Sequence, residues 1–174
     1  MQPLRDKARN VRVAIFDVDG VLTDGRIYLS GSGEAFKAFH TLDGQGMKML
    51  RAEGVALAII SGRSARAVES RARALGVDHV YQGAEDKLGA FHDLLAKTRL
   101  EPAQAACLGD DLPDLPVMRR CGLSATVAGA PALLRQHADY VTRLAGGRGA
   151  AREFCEWLLD ARGALERQWA GYLR

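Results

Sequence analysis

The sequence predicts an α/β fold: a doubly wound, mostly parallel sheet with helices on both faces, as in Rossmann-like domains. Short apolar runs of strand length alternate along the chain with segments whose apolar residues recur at helical spacing. The run over residues 55–60 is apolar throughout, which is typical of a strand covered on both faces. In such a fold the carboxyl ends of the strands meet at one edge of the sheet, where ligands bind.

The first part of the chain predicts a strand, a hairpin and a helix. The β-branched run over residues 11–16 predicts the first strand, which ends at an acidic cluster. Two short alternating segments, 26–29 and 35–39, flank a Gly/Ser turn at residues 30–33 and predict a small β-hairpin inserted after that strand. Apolar residues at helical spacing then predict a helix that ends near Gly54.

The rest of the chain continues the alternation of strands and helices. The predicted strands are at residues 55–60, 80–81, 105–108, 123–127 and 139–141. The predicted helices are at residues 65–75, 88–95 and 131–137, with a C-terminal helix that runs from about residue 154 to residue 165.

Composition narrows the class of protein. The 174 residues are 48% hydrophobic and carry a net charge of +3, which excludes disorder of the whole chain and gives no support for nucleic-acid binding. No apolar run approaches the roughly 20 residues that cross a bilayer, and the first ten residues lack the apolar stretch of a signal peptide. We therefore expect a cytoplasmic protein without a membrane segment. Three cysteines match no metal-binding spacing and are expected as buried thiols: Cys107, Cys121 and Cys155.

Polar residues follow four of the predicted strands, at the points where the strands end. They are Asp17 and Asp19, then Ser61-Gly62-Arg63, then Lys87, and finally Asp110. Carboxylates gathered at one sheet edge are costly to bury without a cation. Lys87 and Arg63 supply part of the positive charge, and Mg²⁺, which binds carboxylates together with phosphate oxygens and water, supplies the rest.

These residue types suit phosphoryl transfer. A carboxylate such as Asp17 at a metal site is a plausible nucleophile toward phosphorus. Asp19, two residues on, is placed to protonate the leaving alkoxide and then to deprotonate the attacking water. Ser61 and Lys87 are candidates to hold the other phosphoryl oxygens, where charge spreads in the transition state.

The four motifs resemble those of the haloacid dehalogenase superfamily of phosphotransferases. The motifs are Asp17-x-Asp19-Gly-Val-x-Thr, Ser61-Gly62, Lys87 and Gly109-Asp110-Asp111, in the superfamily's order. The resemblance implies that Asp17 is the nucleophile and Asp19 the general acid/base. It also implies that Asp110 completes the Mg²⁺ shell with Asp17 and the carbonyl oxygen of Asp19.

Within that superfamily the chain is similar to the 3-deoxy-D-manno-octulosonate 8-phosphate phosphatases. The similar stretches are residues 17–25, 42–46, 61–63, 83–87, 109–114 and 146–153. The resemblance implies hydrolysis of that eight-carbon acid sugar phosphate through a phospho-aspartate, in lipopolysaccharide biosynthesis in the cytoplasm of a Gram-negative cell. The phosphatases of nine-carbon acid sugar 9-phosphates share most of these motifs, so that substrate class is the alternative.

The remaining candidate residues each have a structural alternative. Arg63 is a candidate for the substrate carboxylate, because a planar guanidinium suits a carboxylate. Asp43 and Gly44 are candidates to contact the sugar, with a helix cap as the alternative for Asp43. Asp111 and Asp114 are expected to support the metal waters or Lys87, or else only to cap the next helix. Gly62 joins Ser61 and Lys87 as a candidate phosphate ligand.

The spacing of the motifs leaves no room for a cap domain. The interval from Asp17 to Ser61 must hold the hairpin, a helix and a strand, and an independent domain needs on the order of 50 residues. We therefore predict one domain over residues 1–174, with a core at 11–163 and a C-terminal tail at 164–174. A neighbouring subunit is expected to cover the site through the hairpin, and the family resemblance implies a homotetramer, with residues 146–149 as a mobile stretch.

A non-catalytic phospho-accepting or interaction module is the alternative from a different class. Receiver domains share the sheet class, an acidic pocket, a Ser or Thr and a Lys. In those modules, however, the acceptor follows a middle strand, whereas Asp17 and Asp19 follow the first strand here. The order of the motifs therefore favours an enzyme.

Overall fold

The computed structural model describes residues 2–31 and 33–173, and within them eight strands. These are β1 (Val13–Phe16), β2 (Tyr28–Ser30), β3 (Gly33–Phe36), β4 (Ala56–Ile60), β5 (His79–Tyr81), β6 (Ala105–Gly109), β7 (Leu123–Thr126) and β8 (Tyr140–Val141). Six of them form a parallel sheet in the order β5-β4-β1-β6-β7-β8, and β2 and β3 pair as an antiparallel hairpin. The predicted hairpin after the first strand is confirmed; Ser32 of its turn lies outside the described residues.

Helices connect the strands and cover the sheet. They are α1 (Gln2–Asn10), α2 (Thr41–Ala52), α3 (Arg66–Leu75), α4 (Lys87–Thr98), α5 (Leu115–Met118), α6 (Ala132–His137), α7 (Ala150–Ala161) and α8 (Leu165–Ala170). Helix α7 packs against α1 and α2, whereas α5 packs against α4 and α6. The predicted class, a doubly wound sheet with helices on both faces and no cap domain, is confirmed for the part of the chain described.

Two parts of the helical arrangement differ from the prediction. Helix α1 precedes the sheet, where the sequence analysis assigned no element. The C-terminal helix predicted to reach residue 165 breaks after Ala161, and α8 starts anew at Leu165. Gly163, at φ +68°, lies in the break, and such a left-handed residue ends a helix.

The central strands place the candidate residues at one edge. Strand β1 is buried along its whole length and lies between β4 and β6, with Phe16 opposite both Ile59 and Leu108. The residues that follow these three strands therefore emerge side by side. A close approach of α2 to α7 supports this edge from one face, because a Cβ at Gly46 would lie 2.9 Å from the Cα atom of Arg152.

The thiols and the helices agree with the expected class. Cys107 and Cys155 are buried and Cys121 is half-buried, and all three are free thiols. In residues 2–31 and 33–173, no helix combines the length and the apolar character that crossing a bilayer requires.

Candidate active site

The first segment of the site is a turn that begins directly after β1. Residues 18–22 form one helical turn that is interrupted at Asp19 and Gly20, and Gly20 has φ +102°. Thr23 stabilises this turn: its hydroxyl donates to the carbonyl of Val18 (3.2 Å) and accepts from the Gly20 N–H (3.4 Å). The turn holds the backbone on both sides of Asp19, two residues beyond the buried Asp17.

Lys87 joins two segments of the site. As the first residue of α4, it directs its Nζ atom to Oδ1 of Asp17 at 2.6 Å and to Oδ1 of Asp114 at 2.7 Å. All three side chains are at least nine-tenths buried. Burial alone would lower the pKa of Lys87, but the charges of Asp17 and Asp114 outweigh it and hold the pKa above its usual value. Lys87 is therefore a permanent cation in the site.

The turn after β6 is organised by Asp114. Its Oδ2 atom accepts the backbone N–H groups of Asp110 (3.0 Å) and Asp111 (3.3 Å). Gly109 permits this approach, since a Cβ there would lie 2.4 Å from the Cβ atom of Asp114. For Asp111, the alternative to a role at the metal site was a helix cap. The structure shows this capping geometry, because the Oδ1 atom of Asp111 accepts the N–H of Leu112 at 2.8 Å. Asp114 thus orients both Lys87 and the backbone that carries Asp110.

The carboxylates carry more negative charge than Lys87 balances. Asp17, Asp110 and Asp114 each place one oxygen within 4.8 Å of the others. Burial, followed by the charge of Asp114, raises the pKa of Asp17 to about 6. Burial and the charges of Asp17 and Asp114 raise the pKa of Asp110 to about 8. Negative charge that is buried in this way calls for a further cation.

This donor set fits Mg²⁺, which takes carboxylate oxygens and retains water ligands. Both oxygens of Asp114 are already engaged by Lys87 and by the turn. By contrast, among the described residues no hydrogen bond reaches the carboxylate of Asp110. Asp17 and Asp110 are therefore the side chains that would hold the ion, and the carbonyl of Asp19 as a further ligand stays a prediction.

Asp19 has two basic neighbours. The Nζ atom of Lys37 donates to its Oδ1 atom, and the Nε atom of Arg63 lies 3.8 Å from Oδ2. The side chain of Lys37, which follows β3, is almost fully buried, whereas about half of the Arg63 side chain is exposed. Arg63 is a residue that the sequence predicts at the site, whereas Lys37 is not.

Ser61 and Gly62 lie at the same sheet edge as Asp17. Ser61 follows β4, the neighbour of β1, and is 2% exposed. Its hydroxyl oxygen accepts the N–H of Arg63 at 3.3 Å. A Cβ at Gly62 would meet only the carbonyl of Ala84, at 3.9 Å, so the backbone there is open to approach. Their role as phosphate ligands stays a prediction.

The structure places Asp43 and Gly44 in the packing of α2. Asp43 is 2% exposed, and its Oδ1 atom accepts the N–H of Arg152 in the first turn of α7 at 2.9 Å. Asp43 thus has the helix-capping role that was the alternative to sugar binding, but it caps α7 rather than its own helix α2. A Cβ at Gly44 would lie 2.3 Å from the Nη2 atom of Arg71. Their contact with the sugar stays a prediction, and the geometry gives each of them a packing role.

A loop before α7 closes the other side of the turn. The N–H of Gly147 donates to the carbonyl of Val21 at 2.9 Å, and a Cβ at Gly146 would lie 1.7 Å from the carbonyl oxygen of Gly20. The backbone of Gly146 and Gly147 thus packs directly on the turn that follows β1, and the mobility of residues 146–149 stays a prediction. A cavity of about 430 Å³ opens between this loop and Asp110.

Comparison with known proteins places this site in a family. The family of haloacid dehalogenase-like hydrolases matches this chain over residues 79–153. The 3-deoxy-D-manno-octulosonate 8-phosphate phosphatase of Escherichia coli K12 is 52% identical over 160 residues, covering 92% of this chain and 85% of that protein. The chain belongs to the 3-deoxy-D-manno-octulosonate 8-phosphate phosphatases.

Solved structures of this phosphatase family have the same fold. The Yersinia pestis enzyme matches with a TM-score of 0.91 and 50% identity, over 94% of this chain and 88% of that one. The Moraxella catarrhalis enzyme, solved with a magnesium ion, a phosphate ion and a KDO molecule, matches with a TM-score of 0.96 and 40% identity. That match covers 99% of each chain.

Two features of this phosphatase site escaped the sequence analysis. Lys37 directly follows the hairpin strand β3. The alternation of residue types there predicts a strand, but it does not predict that Lys37 contacts Asp19. The packing of the loop at 145–148 on the turn after β1 was also not predicted: residues 146–153 were assigned only a family similarity and, at 146–149, mobility, and glycines such as those at 146–149 indicate either flexibility or close backbone contact. The absence of space for a Cβ at Gly146 decides for close contact.

Proposed function

We propose that this chain is a Mg²⁺-dependent phosphatase that hydrolyses 3-deoxy-D-manno-octulosonate 8-phosphate to the free sugar acid and phosphate. The observation that carries the proposal is the convergence of Asp17, Asp110 and Asp114 on one point beside Lys87. The relative from Moraxella catarrhalis, which binds magnesium, phosphate and KDO, supports the same conclusion.

In the first half of the reaction, Asp17 attacks phosphorus. Lys87 holds Oδ1 of Asp17, which leaves the other carboxylate oxygen for attack. The new O–P bond forms as the bond from phosphorus to the sugar oxygen breaks. Asp19 gives its proton to that oxygen, so that the sugar leaves as an alcohol and Asp17 carries the phosphoryl group.

In the second half, water releases the phosphate. Asp19, now a carboxylate, takes a proton from a water molecule as the water oxygen attacks phosphorus, and the bond to Asp17 breaks. Bound Mg²⁺ screens the repulsion between carboxylate and phosphate and neutralises charge in the transition state. Ser61, Gly62 and Lys87 are the proposed ligands of the remaining phosphoryl oxygens.

For the sugar acid, the structure offers basic side chains around the acidic cluster. Arg63 is the proposed ligand of the substrate carboxylate, since it reaches the site beside Asp19 and is half exposed. Arg26 and Arg148 line the 430 Å³ cavity, with Asp24 between them. Charge of this sign suits a substrate that bears a carboxylate as well as a phosphate.

The decisive experiment measures phosphate release from a panel of sugar phosphates, with and without Mg²⁺. The panel includes eight-carbon and nine-carbon acid sugar phosphates and neutral sugar phosphates. We expect release from the eight-carbon acid substrate only with Mg²⁺, no turnover by Asp17→Asn, and a loss of about 10²–10⁴-fold for Asp19→Asn. Preference for the nine-carbon substrate would establish the alternative specificity, and normal turnover by Asp17→Asn would overturn the mechanism.

We also propose a homotetramer in the cytoplasm, in which a neighbouring subunit covers the site. The hairpin supports this assembly, because it exposes apolar side chains that a monomer would leave in water: Ile27, Leu29 and Phe36. A two-stranded hairpin is marginally stable by itself, so a neighbour would stabilise it. Light scattering of the active enzyme tests this, and a fully active monomer would refute it.

A further inference from the structure

Glu153, in the first turn of α7, is a buried carboxylate that the reaction does not use. It is 9% exposed. Its Oε1 atom accepts the Tyr140 hydroxyl and the Arg143 N–H, both at 3.0 Å, and its Oε2 atom accepts the Leu144 N–H at 3.0 Å. Burial alone would raise the pKa of Glu153, but the hydrogen bonds from Arg143, Leu144 and Tyr140 hold it below its usual value.

These contacts hold the segment that leads from β8 to α7. An acidic residue in the first turn often stabilises its own helix, yet both oxygens of Glu153 reach outside α7. Two residues beyond Leu144 the chain reaches Gly146 and Gly147, which pack on the turn that follows β1. Glu153 therefore fixes the start of the loop whose next residues contact the site.

The far side of that contact is the Gly20 peptide. The carbonyl of Gly20 lies against Gly146, and the Cα of Gly20 lies against the carboxylate of Asp110, where a Cβ would be 1.9 Å from Oδ2. The preceding carbonyl belongs to Asp19, a proposed ligand of the metal ion. Gly20 thus contacts the loop through its carbonyl and Asp110 through its Cα, and it is bonded directly to the carbonyl group of Asp19.

We propose that Glu153 is a positioning residue for the magnesium site: through residues 143–147 it fixes the Gly20 peptide, and with it the Asp19 carbonyl and the Asp110 carboxylate. The inference rests on the proposed function, because that function assigns these two groups to Mg²⁺. Groups that hydrogen-bond metal ligands directly typically contribute about 10–100-fold to metal affinity, and Glu153, which acts through an intervening loop, is expected at the lower end of that range.

The experiment measures Mg²⁺ binding by calorimetry in the full-length protein, without substrate. Glu153→Gln places an amide donor where the carboxylate accepts backbone N–H groups, so we expect the Kd for Mg²⁺ to rise about 10-fold or more. Tyr140→Phe removes one hydrogen bond and retains the ring that stacks on Trp157, so a smaller rise is expected. Glu156→Gln, one turn along α7, removes only the pair with Arg152 and is the matched control with unchanged Kd.

Thermal unfolding of each variant separates positioning from stability. A Glu153→Gln protein that melts at a lower temperature but binds Mg²⁺ with the wild-type Kd would overturn the proposal. If Glu153→Gln does not fold, Tyr140→Phe decides, and an unchanged Kd in that variant overturns the proposal as well. Failure of the wild-type protein to bind Mg²⁺ would instead overturn the proposed function.

Discussion

The Nζ atom of Lys87 lies 2.6 Å from Oδ1 of Asp17, and both side chains are buried at the carboxyl edge of the sheet. The same Nζ atom binds Asp114, so one cation joins the segments that follow β1 and β6. Lys87 is thus placed to stabilise two carboxylates that repel each other, and binding of phosphate is its second, proposed role.

We predict that Lys87→Met costs both stability and activity. Removing one member of a buried ion pair typically destabilises a protein by about 3–5 kcal/mol, because it leaves an uncompensated buried charge. Thermal unfolding without Mg²⁺ and phosphate release with Mg²⁺ measure the two effects. Lys97→Met on the same helix is the control, since its pair with Asp93 is exposed to solvent and is expected to contribute little to stability. Equal effects of the two substitutions would contradict this assignment.

We predict that Gly20→Ala disrupts the metal site. The new Cβ would lie 1.9 Å from Oδ2 of Asp110, so Asp110 or the turn must move. In addition, the backbone at this position has φ +102°, which is unfavourable for alanine. We expect loss of most phosphatase activity and weaker Mg²⁺ binding by calorimetry. Gly54→Ala separates the two causes, because Gly54 has φ +77° with no atom within 4 Å. That control should lose some stability and retain its affinity for Mg²⁺; retained affinity in Gly20→Ala would show that the clash is relieved without moving Asp110.

The strand ends explain why so much of the site was predictable from the sequence. In a parallel sheet, Asp17, Ser61 and Asp110 must share an edge once their strands are recognised, and these strands are buried apolar runs with clear limits. The same reasoning predicts Lys87 at this edge, because Lys87 is the first residue of α4, the helix that follows β5. Local sequence patterns were sufficient to predict these site residues, because residues that follow neighbouring parallel strands lie side by side.

Contacts that depend on side-chain packing were not predictable in this way. Asp43 has the sequence context of a cap for its own helix, but it accepts a hydrogen bond from α7, more than one hundred residues away. The break between α7 and α8 at Gly163 interrupts an apolar spacing that continues through it. Lys37 follows a hairpin whose register shifts between Tyr28 and Leu29, so strand alternation does not determine the direction of its side chain.

We predict that Lys37→Met slows turnover by misplacing Asp19. Lys37 is buried and donates to Asp19, the proposed general acid/base, and a displacement of about 1 Å in an active site can cost about 10²-fold in rate. We expect kcat to fall toward that extent with little change in the Kd for Mg²⁺, measured by steady-state phosphate release and calorimetry. The exposed Lys48→Met on α2 serves as the control. A kcat equal to that of the control would remove Lys37 from the catalytic site.

We predict that the ion pair between Lys7 and Asp139 makes stability depend on pH in the acid range. Lys7 Nζ lies 2.6 Å from Oδ1 of Asp139, and the Ser124 N–H donates to Oδ2 at 3.0 Å. Burial alone would raise the pKa of Asp139, but these hydrogen bonds outweigh it and hold the pKa below 3.8. A carboxylate with a lowered pKa stabilises the fold above its unfolded value, and this stabilisation is lost as pH falls through the folded value.

Asp139→Asn should therefore lower the free energy of unfolding at pH 7 by about 1 kcal/mol or more. The difference from wild type should persist down to about pH 4 and shrink below it, because both states of the wild-type protein then bind the proton at Asp139. Denaturant unfolding across this range measures the difference. Asp6→Asn, which removes an exposed partner of Arg9, is expected to change stability little at any pH. A difference at Asp139 that stays constant through pH 3 would show that shape and hydrogen bonding, rather than charge, stabilise this contact between α1 and the sheet.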